Sequence, residues 1–382
     1  MKKVGLCIVY KNCNYGSILQ SYATLLKLRG LGCSCEIIRY SPAKNAAFYL
    51  KALPRLANRD MVYGKLRTLR HKVGEKTHRS FAKNNRIRAQ KFHAFVQENF
   101  GPFSEVLHDY GTLGKYAGSF SDVLVGSDQL WLPSGLATNF YNLMFVPDEI
   151  NKISYSASFG VAQIPFYQRR RTKAYLSRID HLSVREQAGA KIIKELTGRD
   201  AEVILDPTMI IDRSVWDENI PDKTIVDGDY IFCYFLGNNP DQREEVRKLA
   251  KEKNMKIVVL RHLDEYIPED ENFGDIAPYD VGPAEFVNLI RHAKYVCTDS
   301  FHGSVFSIIY HKQFVSFNRY GSSKNSRNSR LDTLFANVGI NRRFNSDLVN
   351  EMTREIDYEK VEENLTRLRA EADRYIRGAL NV

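Results

Sequence analysis

The sequence contains no apolar run close to the roughly 20 residues that a membrane-spanning helix needs. Its first apolar stretch, Val4–Tyr10, is too short for a secretory signal, and no small-residue cleavage site follows it. A buried first strand is the better interpretation of this stretch. We therefore expect neither a membrane span nor an export signal, and the predicted location is the cytoplasm.

Cysteine is scarce, with six residues in a chain of 382, and the six are scattered. At least three of them, Cys7, Cys233 and Cys297, lie inside apolar runs that resemble strands. This pattern is typical of buried, reduced thiols and does not indicate a disulfide framework. Cys33 and Cys35 are separated by one residue and have no partner cluster, so the sequence predicts no metal site.

The positive charge of the chain is concentrated in one segment. Residues 41–91 contain fourteen Lys or Arg residues and two acidic ones, so the rest of the chain is close to neutral. Aromatic and aliphatic residues are mixed with the cations, which predicts a basic helical insertion. We expect it to dock on anionic membrane lipid or on the diphosphate of a lipid-linked acceptor. A solvated insertion remains the alternative, and no nucleic-acid-binding motif accompanies the segment.

The order of apolar segments predicts an α/β fold. Strand-like residues 4–10, a helical pattern over 17–28 and a second strand at 35–40 form a βαβ unit. The alternation begins again after an Asp-, Pro- and Gly-rich stretch at 217–229. We therefore predict two Rossmann-like domains that face a cleft. Their predicted ranges are 1–216, with the basic insertion, and 225–350, followed by a C-terminal helix over 355–382.

The strongest chemical signal lies between a strand that ends at Thr298 and an apolar helix that Gly303 is expected to open. Ligands of open parallel sheets bind beyond the carboxyl ends of the strands. Backbone N–H groups at this helix start, with the hydroxyls of Ser300 and Ser304, predict an anion site. His302 is placed to move a proton near neutral pH. The alternative is a capped helix with a buried, hydrogen-bonded histidine.

Two other strand ends carry residues suited to a sugar. Asp128 offers a carboxylate to sugar hydroxyls and Trp131 offers a ring for stacking, although capping of a helix by Ser127 or Asp128 is an equal alternative. The junction after the first strand suits close ligand approach, and plain turn chemistry is its alternative. That junction consists of Asn14, Tyr15, Gly16 and Ser17.

Four cations are candidates for binding an anion. Arg185 ends a strand, and its guanidinium fork matches a carboxylate or phosphate ligand. The alternative is a salt bridge to Glu186 or to a neighbouring carboxylate. The other three, Lys324, Arg327 and Arg330, lie in a run of Ser and Asn that predicts an anion-binding loop or a solvated linker.

Together these segments resemble the polysaccharide pyruvyl transferase family, from the first strand to about residue 345. The motifs that carry the resemblance are Asn14-Tyr15-Gly16-Ser17, Gly126-Ser127-Asp128-Gln129-Leu130-Trp131, Ser183-Val184-Arg185-Glu186, Asp206-Pro207-Thr208 and Thr298-Asp299-Ser300-Phe301-His302-Gly303. The resemblance implies a GT-B-like fold. It also implies transfer of the enolpyruvyl group of phosphoenolpyruvate, as a ketal, onto two hydroxyls of a sugar with release of phosphate. The expected acceptor is a precursor of a bacterial cell-surface or capsular polysaccharide, and no further cofactor is expected.

The resemblance also implies roles for residues. His302 corresponds to the family's catalytic histidine and Arg185 to its donor-binding arginine. Ser300 stands where many members have an arginine, so we expect Lys324, Arg327 or Arg330 to supply the missing cation. The alternative is a donor other than phosphoenolpyruvate. The full predicted donor set is Arg185, Ser300, Gly303, Ser304, Lys324, Arg327 and Arg330, and the predicted acceptor set is Asn14, Tyr15, Gly16, Ser17, Asp128 and Trp131. The second-ranked function is a GT-B glycosyltransferase that uses a nucleotide sugar, since it too needs cations on a diphosphate and a histidine near the acceptor.

Overall fold

The computed structural model describes residues 2–42, 59–134, 139–262, 265–319 and 329–382. The first half of the chain builds a parallel five-stranded sheet in the order β3-β2-β1-β4-β5. These strands are β1 (Lys3–Cys7), β2 (Ser34–Tyr40), β3 (Phe103–Leu107), β4 (Asp122–Val125) and β5 (Asn151–Ser154). Because β1 lies between β2 and β4, the winding of the sheet reverses at the β1/β4 pair.

The second half builds a parallel four-stranded sheet in the order β11-β10-β8-β9. Its strands are β8 (Tyr230–Tyr234), β9 (Lys256–Val259), β10 (Tyr295–Thr298) and β11 (Gln313–Ser316), and a short pair, β6 (Ser183–Val184) and β7 (Glu202–Val203), lies between the two sheets in sequence. The winding of this sheet reverses between β8 and β10. Strands β4 and β8 are buried along their whole length, as expected where helices cover both faces of a parallel sheet.

Fourteen α-helices lie in the described part of the chain, and they are numbered here in chain order. They are α1 (Tyr15–Gly30), α2 (Arg59–Thr77), α3 (Arg79–Asn99), α4 (Tyr110–Ala117), α5 (Arg169–Leu176), α6 (Gln187–Thr197), α7 (Pro207–Ile210), α8 (Arg213–Asn219), α9 (Pro240–Lys253), α10 (Pro283–His292), α11 (Phe301–Ile309), α12 (Ser329–Val338), α13 (Leu348–Thr353) and α14 (Tyr358–Leu380). The predicted α/β fold with two Rossmann-like sheets is confirmed.

Two local predictions need correction. The first strand ends at Cys7, so the remainder of the apolar run 4–10 belongs to the loop that leads to α1. Helix α11 begins at Phe301 and not at Gly303, because the side chain of Ser300 caps it by accepting a hydrogen bond from the Gly303 N–H at 3.3 Å. His302 therefore lies in the first helical turn.

The basic insertion forms two helices, α2 and α3, from residue 59 onward, and α3 bridges the two halves. The guanidinium of Arg88 donates to three carbonyl oxygens of the second half, those of Tyr279, Arg261 and Pro278, at 3.0, 2.6 and 3.2 Å. Lys91 pairs with Glu285 of α10 at 3.0 Å. Residues 43–58 of the predicted insertion lie outside the described residues. The helix continues past residue 91 to Asn99.

The last helix, α14, also contacts both halves. Near its start, Asn364 donates to the Val338 carbonyl at the end of α12. Farther along, the Tyr375 hydroxyl donates to the Ser154 carbonyl of β5 at 2.7 Å, and Asn151 donates to the Ala379 carbonyl at 2.8 Å. No helix in the described ranges is both long enough and apolar enough to cross a membrane.

Candidate active site

A cavity of about 270 Å³ lies where the carboxyl ends of the two sheets meet. Its walls come from the loops after β1, β4, β8, β10 and β11, so both winding reversals open onto it. This is the position that open parallel sheets use for ligands. The lining residues include Asn12, Asn14, Ser17, Asp128, Gln129, Asp299, Ser300, His302, Arg319 and Arg330.

His302 packs directly against the backbone of Gly16 in the first turn of α1. A Cβ atom built at position 16 would lie 2.6 Å from Cε1 of the imidazole and closer still to its Nδ1. Only glycine permits this approach without displacement of the ring. Gly16, predicted to contact the acceptor, thus serves to seat His302 at the cavity wall.

Asp206 lies behind His302. One carboxylate oxygen is 3.7 Å from His302 Nε2, longer than a hydrogen bond, and Nε2 has no hydrogen-bond partner among the residues that the structure describes. The same oxygen accepts from Arg185 at 2.7 Å and from Ser127 at 2.9 Å. Burial raises the pKa of Asp206, but the nearby His302 and Arg185 outweigh burial and hold this pKa well below its usual range. Asp206 is therefore an ionised group beside the histidine.

Arg185 is enclosed by carboxylates, which corrects the prediction that it binds the donor anion directly. Its guanidinium contacts Asp206 at 2.7 Å and Asp128 at 3.2 Å, and it lies 4.8 Å from the Phe301 ring centroid. The side chain is almost fully buried, and it is not among the described side chains that line the cavity. Its charge is taken up by the two aspartates, so Arg185 positions Asp128 and Asp206.

Asp128 lines the cavity at the end of β4 in a left-handed backbone conformation, with a φ of 76°. Its carboxylate accepts a short hydrogen bond from the Ser17 hydroxyl. Burial raises the pKa of Asp128, but Arg185 and His302 outweigh burial and lower it. The structure therefore brings Asp128 and Ser17 together with His302, and binding of the acceptor by these residues stays a prediction.

Among the described cations that were predicted to bind the donor, Arg330 lines the cavity. It lies at the start of α12. Its guanidinium lies 5.7 Å from the Phe301 ring, which it shares with Arg185. Burial and the like charge of Arg185 lower the pKa of Arg330 to about 10. Arg319 lines the same cavity. Lys324 and Arg327 lie outside the described residues.

A model of the polysaccharide pyruvyl transferase family matches residues 14–320. The chain belongs to this family. No curated protein matches the sequence. The matched range includes every segment that lines the cavity except Asn12, Cys13 and the start of α12.

Several solved structures are similar to this chain at low sequence identity. The UDP-GlcNAc 2-epimerase of Neisseria meningitidis, bound to UDP-GlcNAc, is 10% identical over 99% of this chain and 94% of that chain, with a TM-score of 0.48. The UDP-GlcNAc 2-epimerase of Methanocaldococcus jannaschii is 11% identical over 95% of this chain and 92% of that chain, with a TM-score of 0.48. The glycosyltransferase SnogD of Streptomyces nogalater is 10% identical over 98% of this chain and 95% of that chain, with a TM-score of 0.45.

Two aromatic residues predicted to contact the acceptor are core residues instead. Trp131 is fully buried against Phe159 and Tyr175, and its indole N–H donates to the Tyr141 carbonyl at 3.0 Å. Tyr15 is buried between the halves: its ring stacks on Phe286 and its hydroxyl donates to the Val281 carbonyl at 2.7 Å. Neither ring is available to a sugar, because each is covered by apolar side chains.

Two residues of the predicted donor set also lie behind the cavity wall. Ser304 is fully buried, and its hydroxyl bonds to the Ser300 carbonyl and the Ser316 hydroxyl. A Cβ at position 303 would lie 2.6 Å from the Thr298 hydroxyl oxygen, so Gly303 allows α11 to pack on β10. Ser300 does line the cavity, as the cap of α11.

Four cavity residues were not predicted from the sequence, although each follows a strand: Asn12, Gln129, Asp299 and Arg319. Asp299 is the most constrained of them, since its oxygens accept from the N–H groups of Leu236 and Gly237 at 2.6 and 2.8 Å. Burial raises the pKa of Asp299, partly offset by Arg319. In the described ranges no cluster of three His, Cys, Asp or Glu side chains is arranged to hold a metal ion, and metal independence stays a prediction.

Proposed function

We propose that the protein transfers the enolpyruvyl group of phosphoenolpyruvate to two hydroxyls of a sugar in a cell-surface or capsular polysaccharide precursor. The observation that supports this most strongly is that His302 and Arg330 line one cavity at the N-terminal end of α11. A proton-transferring group and an anion site are the two things that this reaction requires. Family membership supports transfer of a pyruvyl group, and the identity of the donor as phosphoenolpyruvate is proposed here.

The proposed transfer forms one C–H bond and two C–O bonds and breaks one C–O bond. A proton adds to the methylene carbon of phosphoenolpyruvate, which becomes a methyl group, and one sugar hydroxyl adds to the neighbouring carbon. The bond from that carbon to the phosphate oxygen then breaks, and the second hydroxyl closes the ketal. Of the two protons that the hydroxyls lose, one balances the new methyl C–H bond and the other balances the released phosphate.

The cavity supplies both kinds of assistance in this scheme. His302 moves a proton, and Asp206, ionised and fixed by Arg185, lies 3.7 Å from the imidazole Nε2. Arg330, Arg319 and the first-turn N–H groups of α11 stabilise the donor's negative charges. Arg330 thereby takes the part of the arginine that Ser300 replaces.

Running the reaction in D₂O tests the proposal. With phosphoenolpyruvate and a preparation of cell-surface glycan precursors, we expect release of inorganic phosphate and a ketal whose methyl group carries one solvent deuterium, detected by NMR. His302→Gln should lower the rate by about 10²–10⁴-fold, the usual contribution of general acid–base catalysis. Nucleotide release from a nucleotide sugar, without consumption of phosphoenolpyruvate, would instead establish the glycosyltransferase alternative.

We propose further that this enzyme works in the cytoplasm against the inner face of an anionic membrane. The support comes from α2, on which Leu66, Leu69 and Val73 lie on one helical face and are 45%, 59% and 51% exposed. Lys72 and Lys76 of the same helix are exposed as well. An apolar stripe beside cations is the pattern of helices that lie in the lipid interface.

A further inference from the structure

A second cavity, of about 470 Å³, adjoins the first. The two share Asn12, Asp128 and Gln129, so these residues form a common wall. The second cavity lies at the carboxyl ends of β1, β2 and β4, within the first half of the chain, whereas the first is lined by both halves. Its volume is in the ~300–1,000 Å³ range of sites that hold small molecules.

The walls of the second cavity are aromatic where those of the first are mostly polar. Tyr40 and Phe140 stack with their ring centroids 5.8 Å apart and an interplanar angle of 29°. Tyr141 packs on Phe140 at 5.0 Å, and Tyr10 forms a fourth aromatic surface. All four rings line the cavity.

This combination of surfaces matches the chemistry of a sugar ring. The faces of a pyranose carry C–H bonds that are attracted to the negative face of an aromatic ring, while its hydroxyls project from the edge. The common wall offers amide and carboxylate groups to such hydroxyls. Lys11 is the one cation among the described lining residues, so a phosphate group would find little charge there.

We infer that the second cavity binds the sugar next to the one that is pyruvylated, so that the acceptor spans two adjoining subsites. The inference rests on the proposed function, because it takes the first cavity as the place where the ketal forms. The acceptor is then a glycan of at least two sugars. Asp128, which lines both cavities and contacts Ser17, lies at the boundary between the reacting sugar and its neighbour.

A glycan array, probed with labelled protein in the absence of phosphoenolpyruvate, tests the inference. The wild-type protein should bind some glycan of two or more sugars at least ~10-fold more tightly than its component monosaccharides. The double substitution Tyr10→Leu/Tyr141→Leu keeps the lining apolar and removes two of its flat rings, so it should abolish this preference. Tyr279→Leu, the same change outside the second cavity, should leave it intact.

Three outcomes would overturn the inference. The first is that the wild-type protein binds no glycan on the array, and the second is that the preference survives the double substitution. The third is that UMP or CMP displaces the bound glycan, which would assign the aromatic rings to a nucleobase. Thermal melting checks that the double variant is folded. If it is not, Tyr10→Leu and Tyr141→Leu are tested separately in its place. Because the array contains no phosphoenolpyruvate, failure of the proposed donor chemistry registers only in the phosphate and deuterium assays.

Discussion

The imidazole of His302 fills the space that a side chain at position 16 would need, and Gly16 leaves that space free. The backbone of α1 lies so close to the imidazole that a Cβ there would overlap the ring. The two residues are 286 positions apart in sequence, on helices that follow strands of different sheets. The first helix of the chain therefore fixes the position of a histidine on the helix that follows β10.

Gly16→Ala should lower the turnover number by about 10²-fold, because His302 must move and a displacement of about 1 Å can cost that much. Turnover is measured as phosphate release. Gly30→Ala is the matched control: it makes the same change at the other end of α1, where nothing lies within 4 Å of the new Cβ. Equal activity in the two variants would contradict the proposed role of Gly16.

Asp206→Asn should reduce the free energy of unfolding by about 3 kcal/mol at pH 7, because it leaves Arg185 buried beside a neutral partner. The pKa of Asp206 is lowered in the folded protein, so its contribution is fully present above the ordinary value of about 3.9 and is lost as the pH falls below it. The difference from wild type, measured by urea unfolding, should therefore shrink below about pH 4. Asp200→Asn, at the surface, should leave the free energy of unfolding unchanged. If the difference in this free energy between wild type and Asp206→Asn stays constant down to pH 3, the prediction is wrong.

Arg330→Gln should raise the KM for phosphoenolpyruvate by at least ~10-fold, since it removes a charge-assisted contact to the donor. The KM for the acceptor should change little. The control is Arg367→Gln on the exposed side of α14, where the guanidinium pairs with Glu371 at 2.7 Å. An unchanged donor KM in Arg330→Gln would remove Arg330 from the anion site.

The triple substitution Leu66→Ser/Leu69→Ser/Val73→Ser should weaken binding to vesicles of phosphatidylcholine with phosphatidylserine by at least ~10-fold, because it removes the apolar stripe and keeps the cations. Co-sedimentation measures this binding, and vesicles of phosphatidylcholine alone provide the uncharged comparison. Activity on an acceptor free in solution should be unchanged. A second surface could bind the vesicles instead: Phe166 is 90% exposed, and three arginines follow it from residue 169. If Phe166→Ser releases the protein and the triple variant does not, α2 is not the docking helix.

The sequence predicted the sheets and the position of His302 because buried parallel strands are continuous apolar runs and ligands bind where such strands end. It could not show that Arg185 is enclosed, since Asp206 and Asp128 are brought to it only by the fold. Trp131 illustrates the same limit, because a tryptophan after a strand has the same local pattern whether it faces a ligand or the core. Arg319 could have been found, since it follows β11 as His302 follows β10.

Helix α14 has a consequence for the order in which the chain matures. Tyr375 and Ala379, more than 200 positions farther along the chain, form hydrogen bonds with Ser154 and Asn151 of β5 in the first sheet. During translation, the side of β5 that they cover stays exposed until residues 375–379 have left the ribosome. The first sheet, although it is made before the second, thus completes its packing only after the second sheet has been synthesised.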